Sequence, residues 1–206
     1  RTVAGGRLVR RLLMIVEGHG DVRAVPVLVR RILESHGIYD VQLLPPQRRG
    51  EHPSVKRLFD NYFLAAIKDN AAILWIMDFD SKEYECPYLE SNELLARAHA
   101  LRPGWPLKVA FLVKEYEALF LHDEQATRAV FTDIPKQAEF PAVPEEIRGA
   151  KEWLSHLRPS GMAYKESVHQ EKITARLDLH LLRERSKDFA HLERAVLHLI
   201  NSPVPD

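Results

Sequence analysis

Leu12-Leu13-Met14-Ile15-Val16-Glu17-Gly18-His19-Gly20-Asp21 decides how the rest of the chain is read. Five consecutive apolar residues without polar alternation mark a strand covered on both faces, and the glycine-rich turn ends the run abruptly. From Asp21 the period changes. Val25, Leu28, Val29, Ile32 and Leu33 recur at helical spacing as far as about His36, with Gly37 as a stop signal. Buried strand, tight turn and amphipathic helix form the first part of a β–α–β unit.

The same alternation continues outward. Val41-Gln42-Leu43-Leu44 before Pro45-Pro46 predicts a short second strand, and 55–68 a helix with Leu58, Phe59, Tyr62, Phe63 and Ala66 on one face. Ala72-Ile73-Leu74-Trp75-Ile76-Met77 is a third buried strand closed by Asp78, 90–101 a helix, and 107–113 a fourth strand. The expectation is an α/β fold, a mainly parallel four-stranded sheet flanked by helices, over residues 12–123. Beyond Lys114 the pattern predicts a short helix at 115–122 and an irregular stretch around Pro135, Pro141 and Pro144. Helices at 145–157, 168–185 and 188–200 then make 124–206 a mostly helical extension packed on the sheet, within one domain of 1–206. Trp75 and Trp153 read as core residues.

At 206 residues, 46% apolar and 28% charged, the chain can bury a substantial core and is too apolar for intrinsic disorder. Its 29 basic and 29 acidic residues cancel, so attraction to a polyanion must come from a local patch. A single cysteine, Cys86, excludes an internal disulfide framework and a cysteine-rich zinc module, and fits a reducing, cytoplasmic setting. The amino-terminal residues 1–7 carry no apolar stretch suited to a signal or membrane helix, so no membrane partner is expected. No Walker-type glycine loop occurs, which excludes ATP hydrolysis by the P-loop route.

In an open parallel sheet, ligands bind beyond the carboxyl ends of the strands. Here those ends are acidic: Glu17 after the first strand, Asp78 and Asp80 after the third, Glu115 and Glu117 after the fourth. Gathered together they make an all-oxygen site suited to one or two Mg²⁺ or Mn²⁺ ions and to in-line phosphoryl displacement. Asp78 and Asp80 share a direction only if the chain stays extended. Asp21 either caps the first helix or reaches round to a metal. An Asp-x-Asp also begins haloacid-type phosphatase motifs, but on a first strand, whereas this one follows the third. Arg48 and Arg49, in the loop leaving the second strand, are candidate phosphate contacts, with His19 as acid, base or phosphate contact. Lys172 is either a cation for the scissile phosphate or part of a solvated helix face.

Glu17-Gly18 at one strand end and Asp78-Phe79-Asp80 at another, with β–α–β–α between, resemble the TOPRIM pattern. More specifically, Val16-Glu17-Gly18-His19-Gly20-Asp21, then Met77-Asp78-Phe79-Asp80, then Lys114-Glu115-Tyr116-Glu117-Ala118-Leu119-Phe120-Leu121-His122-Asp123 resemble the bacterial domain of unknown function numbered 4276, and the similarity runs on through Lys172, Asp178 and Arg185-Ser186-Lys187-Asp188-Phe189. The resemblance implies a TOPRIM-like fold related to OLD-type nucleases, often encoded beside ATPases and linked with phage defence. It implies a Mg²⁺- or Mn²⁺-dependent endonuclease acting on DNA or RNA, an effector subunit with an ATPase partner and a possible homo-oligomer. On its terms Glu17, Asp78, Asp80, Glu115, Glu117 and Lys172 are the catalytic candidates. Glu17, Asp21, Asp78, Asp80 and Glu117 are its metal-ligand candidates, while Arg48, Arg49 and His19 are nucleic-acid candidates on the reading of the residues alone. The chain departs from the family pattern after the second strand, where a Gly-Lys pair is replaced by Gln47-Arg48-Arg49-Gly50-Glu51. Arginine restores the charge there but not lysine's capacity to carry a proton. The alternative is a non-catalytic binding or assembly module whose acids serve only as turn and cap residues.

Overall fold

The computed structural model describes residues 10–80 and 86–205, so the amino-terminal segment 1–9 lies outside the described residues. Strand β1 (Arg10–Val16) sits inside a sheet of order β2-β1-β4-β5, where β2 is Val41–Leu43, β4 is Ala72–Phe79 and β5 is Leu107–Val113. Every pairing is parallel. A two-residue strand β3 (Gln47–Arg48) rejoins β1 opposite Ile15 and Val16, beyond the point where β2 stops. Pro45 and Pro46 lie in the interruption, where the chain has no N–H to offer the ladder. The fold is the expected α/β arrangement of a parallel sheet flanked by helices, with β3 as an addition to the four-strand path.

Alternate residues of each strand feed two cores, which is why the strand sequences are apolar throughout. Leu13, Ile15, Ile73, Trp75, Met77, Val109 and Phe111 pack against α2 (His52–Ala66) and α3 (Pro87–Leu101). Leu12, Met14, Val16, Leu74, Ile76, Ala110 and Leu112 face the opposite layer, formed by α1 (Asp21–Ser35) and the helices after β5. Those are α4 (Ala118–His122), α5 (Glu124–Val130), α6 (Ala150–His156), α7 (Glu166–Thr174), α8 (Leu179–Arg185) and α9 (Lys187–Ile200). Phe189, Leu192, Val196 and Leu199 give α9 its buried face. At the outer edge of the sheet, Asp188 Oδ2 accepts the Val113 N–H at 2.7 Å and Ser91 Oγ donates to the Val109 carbonyl at 3.1 Å.

The helical extension is more broken than its periodicity predicts. A helix expected over 145–157 starts only at Ala150, because Gly149 takes a left-handed turn at φ 77°. The one expected over 168–185 divides into α7 and α8, since Asp178 leaves helical geometry and caps α8 by accepting the N–H groups of His180 and Leu181. Helix α5 was not anticipated; its cap is Asp123, which accepts the Ala126 N–H at 2.9 Å. Trp75 is fully buried, but Trp153 is 36% exposed and is not a core residue, because α6 turns that face to solvent. Among the described residues no helix is long and apolar enough to cross a membrane.

Candidate active site

At the carboxyl edge of the sheet the loops enclose a cleft of about 250 Å³ lined by Glu17, Asp21, Asp78, Glu117, Lys151 and Glu166, with His19, Arg48 and Glu51 around it. The parallel register places the first members. Glu17 follows β1 directly and Asp78 is the penultimate residue of β4, so both stand at the same end of adjacent strands. Glu17 Oε2 accepts the backbone N–H of Asp78 at 3.2 Å, which ties the two strand ends together.

Glu117 arrives by a different route. After β5 the chain turns at Lys114, a non-glycine residue at φ 70°, a left-handed geometry that costs about 1 kcal/mol. The turn brings the Tyr116 N–H onto Asp78 Oδ1 at 2.9 Å and drops Glu117 into the interior with 1% of its surface exposed. Tyr164 donates its hydroxyl to Glu117 Oε1 at 2.8 Å, whereas the buried Oε2 makes no hydrogen bond.

Asp21 is held on both sides. Its Oδ2 accepts the Gly18 N–H at 2.7 Å, closing the turn after Glu17, and its Oδ1 accepts from Gln170 Nε2 on α7 at 2.6 Å. The approach of Gln170 explains a glycine in the turn: a Cβ on Gly20 would fall 1.8 Å from Gln170 Oε1 and 3.0 Å from Glu166 Cβ. Asp21 therefore joins α1 to α7 and completes the turn besides lining the cleft.

The electrostatics are those of acids without enough counter-charge. Burial pushes Glu17 up to about 7, partly offset by the Asp78 N–H and reinforced by Asp21. Burial likewise raises Glu117 to about 7 against the pull of Lys151 and Tyr164. Asp78 is raised well above the carboxylate range, first by burial and then by Glu117. Burial alone would lower Lys151, but Glu117, Asp78, Glu115 and Glu166 outweigh it and hold the ammonium protonated.

The structure brings together Glu17, Asp21, Asp78 and Glu117 of the predicted acids, together with His19 and Arg48. Four other candidates stand apart. Asp80 lies past the end of β4, exposed, with Arg148 at 3.3 Å and Lys114 at 3.7 Å, so the strand does not continue far enough to align it with Asp78. Glu115, half-buried, accepts the Lys151 N–H at 3.1 Å at the start of α6 and does not line the cleft. Arg49 stacks over Tyr62 at 5.0 Å and bonds to Gln47. Lys172 is exposed on α7 and does not line the cleft. Sequence reasoning missed Lys151, Tyr164, Glu166 and Gln170. All four come from the helical extension and are placed by tertiary contacts that no local pattern encodes.

The donor set is all oxygen, which suits a hard divalent cation, and the buried Oε2 of Glu117, which makes no hydrogen bond, is the atom such an ion would satisfy. Glu17, Asp78 and Glu117 would hold it. Among the described residues no three His, Cys, Asp or Glu side chains stand as a ready-made metal group.

Over residues 16–197 the chain matches the model of a family described as a domain of unknown function (DUF4276). Among solved structures it is similar to the C-terminal region of the OLD protein of Xanthomonas campestris pv. campestris, at 14% identity and a TM-score of 0.47, with 93% of each chain covered. It is also similar to the C-terminal region of the OLD protein of Burkholderia pseudomallei, at 14% identity and a TM-score of 0.42, covering 92% of this chain and 96% of that one. No curated protein matches.

Proposed function

The chain belongs to the DUF4276 family, and from that premise we propose that its cleft is the site of a Mg²⁺- or Mn²⁺-dependent nuclease acting on DNA or RNA. The observation that carries the reading is the convergence of Glu17, Asp78 and Glu117 at the carboxyl edge of a parallel sheet, with Glu117 Oε2 buried and without a hydrogen bond. A bound divalent ion would supply charge neutralisation at the phosphate and acidify a water.

The remaining work falls to the chain's own side chains. Tyr164 fixes the Glu117 carboxylate, and the backbone N–H groups of Asp78 and Tyr116 fix Glu17 and Asp78, so the acids face the cleft in set orientations. Arg48, exposed beside Glu17, and His19, exposed in the turn, lie where a phosphate backbone would cross the mouth. With zero net charge on the chain, such local contacts carry the attraction. The wider role we propose is that of an effector in a phage-defence complex, with ATP hydrolysis supplied by a separate partner chain.

The test is cleavage of duplex DNA, single-stranded DNA and RNA by the purified chain in Mg²⁺ or Mn²⁺, alone and with ATPases encoded beside it. Glu17→Gln and Asp78→Asn are expected to lower the rate by about 100-fold or more while the circular dichroism spectrum is retained. Cleavage that persists in both variants would place the chemistry elsewhere. One observation favours a second reading, a binding or assembly module: no ready-made metal group stands among the described residues. The absence of saturable Mn²⁺ binding would select that reading.

A further inference from the structure

The cleft contains a cation supplied by the chain itself. The backbone N–H of Lys151 is held by Glu115 Oε2 at 3.1 Å, which fixes where the side chain begins. Its Nζ then stands 3.9 Å from Glu117 Oε2 and 3.6 Å from Glu166 Oε2. Both distances exceed a hydrogen bond, so the ammonium balances the two carboxylates without being locked to either. The acid on the inner side is the buried one whose Oε2 makes no hydrogen bond, and the acid on the outer side is 40% exposed. A lysine stem is flexible and its ammonium is a point charge, which suits a group that has to move; an arginine would clamp a carboxylate through two bonds.

We propose that Lys151 is a tethered counter-cation that neutralises Glu117 until a divalent ion arrives and then yields that place, so that metal binding is an exchange of one cation for another. The proposal rests on the reading of the cleft as a divalent-ion site and adds a competitor within the same chain. A divalent ion on Glu117 Oε2 and an ammonium within 4 Å of the same atom repel each other, and Glu166 offers the displaced ammonium a more solvated carboxylate. The exchange lets the metal-free cleft stay folded and sets the divalent concentration at which the site fills.

The test is Mn²⁺ titration of the full chain, followed by isothermal calorimetry and by the resonance of free Mn²⁺, with melting of the metal-free and saturated forms. Lys151→Met keeps the stem and removes the charge. Arg48→Gln removes a positive charge from the same cleft without touching Glu117, and so measures the general effect of charge. The Mn²⁺ dissociation constant is expected to fall about tenfold or more in Lys151→Met and about threefold or less in Arg48→Gln. Metal-free Lys151→Met should melt below the wild-type protein and recover in saturating Mn²⁺. If Lys151→Met does not fold without the ion, Lys151→Arg carries the test: a bidentate grip on Glu117 should weaken Mn²⁺ binding in a folded protein. Unchanged or weaker binding in Lys151→Met, equal tightening in Arg48→Gln, or unchanged binding in Lys151→Arg would overturn the proposal. Wild-type binding without the Lys151 effect removes this proposal alone, whereas a wild-type chain that binds no Mn²⁺ removes the divalent-site reading with it.

Discussion

Asp133 and Glu193 in the helical extension and the acids of the cleft are treated in opposite ways. Asp133 is held by Arg158, whose Nε and terminal nitrogen reach both carboxylate oxygens within 3.1 Å, and this pairing lowers it below the usual carboxylate range. Burial would raise Glu193, but Arg183, with Nε at 2.9 and 3.0 Å from the two carboxylate oxygens and a terminal nitrogen at 2.7 Å, together with His36 at 3.1 Å, reverses the shift. Glu17, Asp78 and Glu117 have no arginine fork, and all three are raised. The same fold that pairs Asp133 and Glu193 with arginine leaves the cleft acids without one, and that imbalance points to a site built for something from outside.

The comparison breaks most readily at Arg183. Arg183→Ala leaves Glu193 with 8% exposure and only His36 as partner, and is expected to cost about 2 kcal/mol in urea unfolding at pH 7. A change near zero would mean that the pairing in the extension is ornamental. Next comes the sign of the pH dependence. Glu17 and Glu117 are raised from 4.5 to about 7, so the folded metal-free protein holds more protons than the unfolded chain between those values. Their contribution to stability is fully present below about pH 4.5 and is lost as pH rises through about 7. Asp133 behaves in the opposite sense: its contribution is present above its unfolded value of 3.8 and is lost as pH falls through its lower folded value. Glu117→Gln should therefore raise the metal-free melting temperature at pH 8, with the gain vanishing near pH 5 and divalent stabilisation reduced. A melt of both proteins across that range reads the sign directly. The smallest effect is assigned to Lys172→Ala, expected to stay within about 0.5 kcal/mol of wild-type stability with unchanged Mn²⁺ affinity. Loss of cleavage in that variant would restore the phosphate-stabilising role its sequence context suggested.

The sheet was legible in the sequence because buried parallel strands write themselves as unbroken apolar runs. Residues 12–16, 72–77 and 107–113 lie within strands extended by at most two residues at either end. Glu17 and Asp78 were legible for the same reason, as the first polar groups at strand ends. Asp80 lies outside the cleft because alternation holds only while the chain stays extended, and β4 stops at Phe79. Lys151 was beyond reach: its position depends on Glu115, 36 residues earlier, capping a helix whose start depends on the left-handed turn of Gly149. Lys172 was indistinguishable from a site residue because α7 buries Gln170 and Thr174 beside Ile173, so its polar pattern does not reveal its solvent face.

The side chains that meet the outer edge of β5 also bear on how copies of this protein can associate. An edge strand normally offers a row of free N–H and C=O groups to which a second chain can add. Here the Asp188 carboxylate occupies the Val113 N–H and the Ser91 hydroxyl occupies the Val109 carbonyl. A strand laid along β5 would have to displace both, so self-association by sheet extension is disfavoured at this edge.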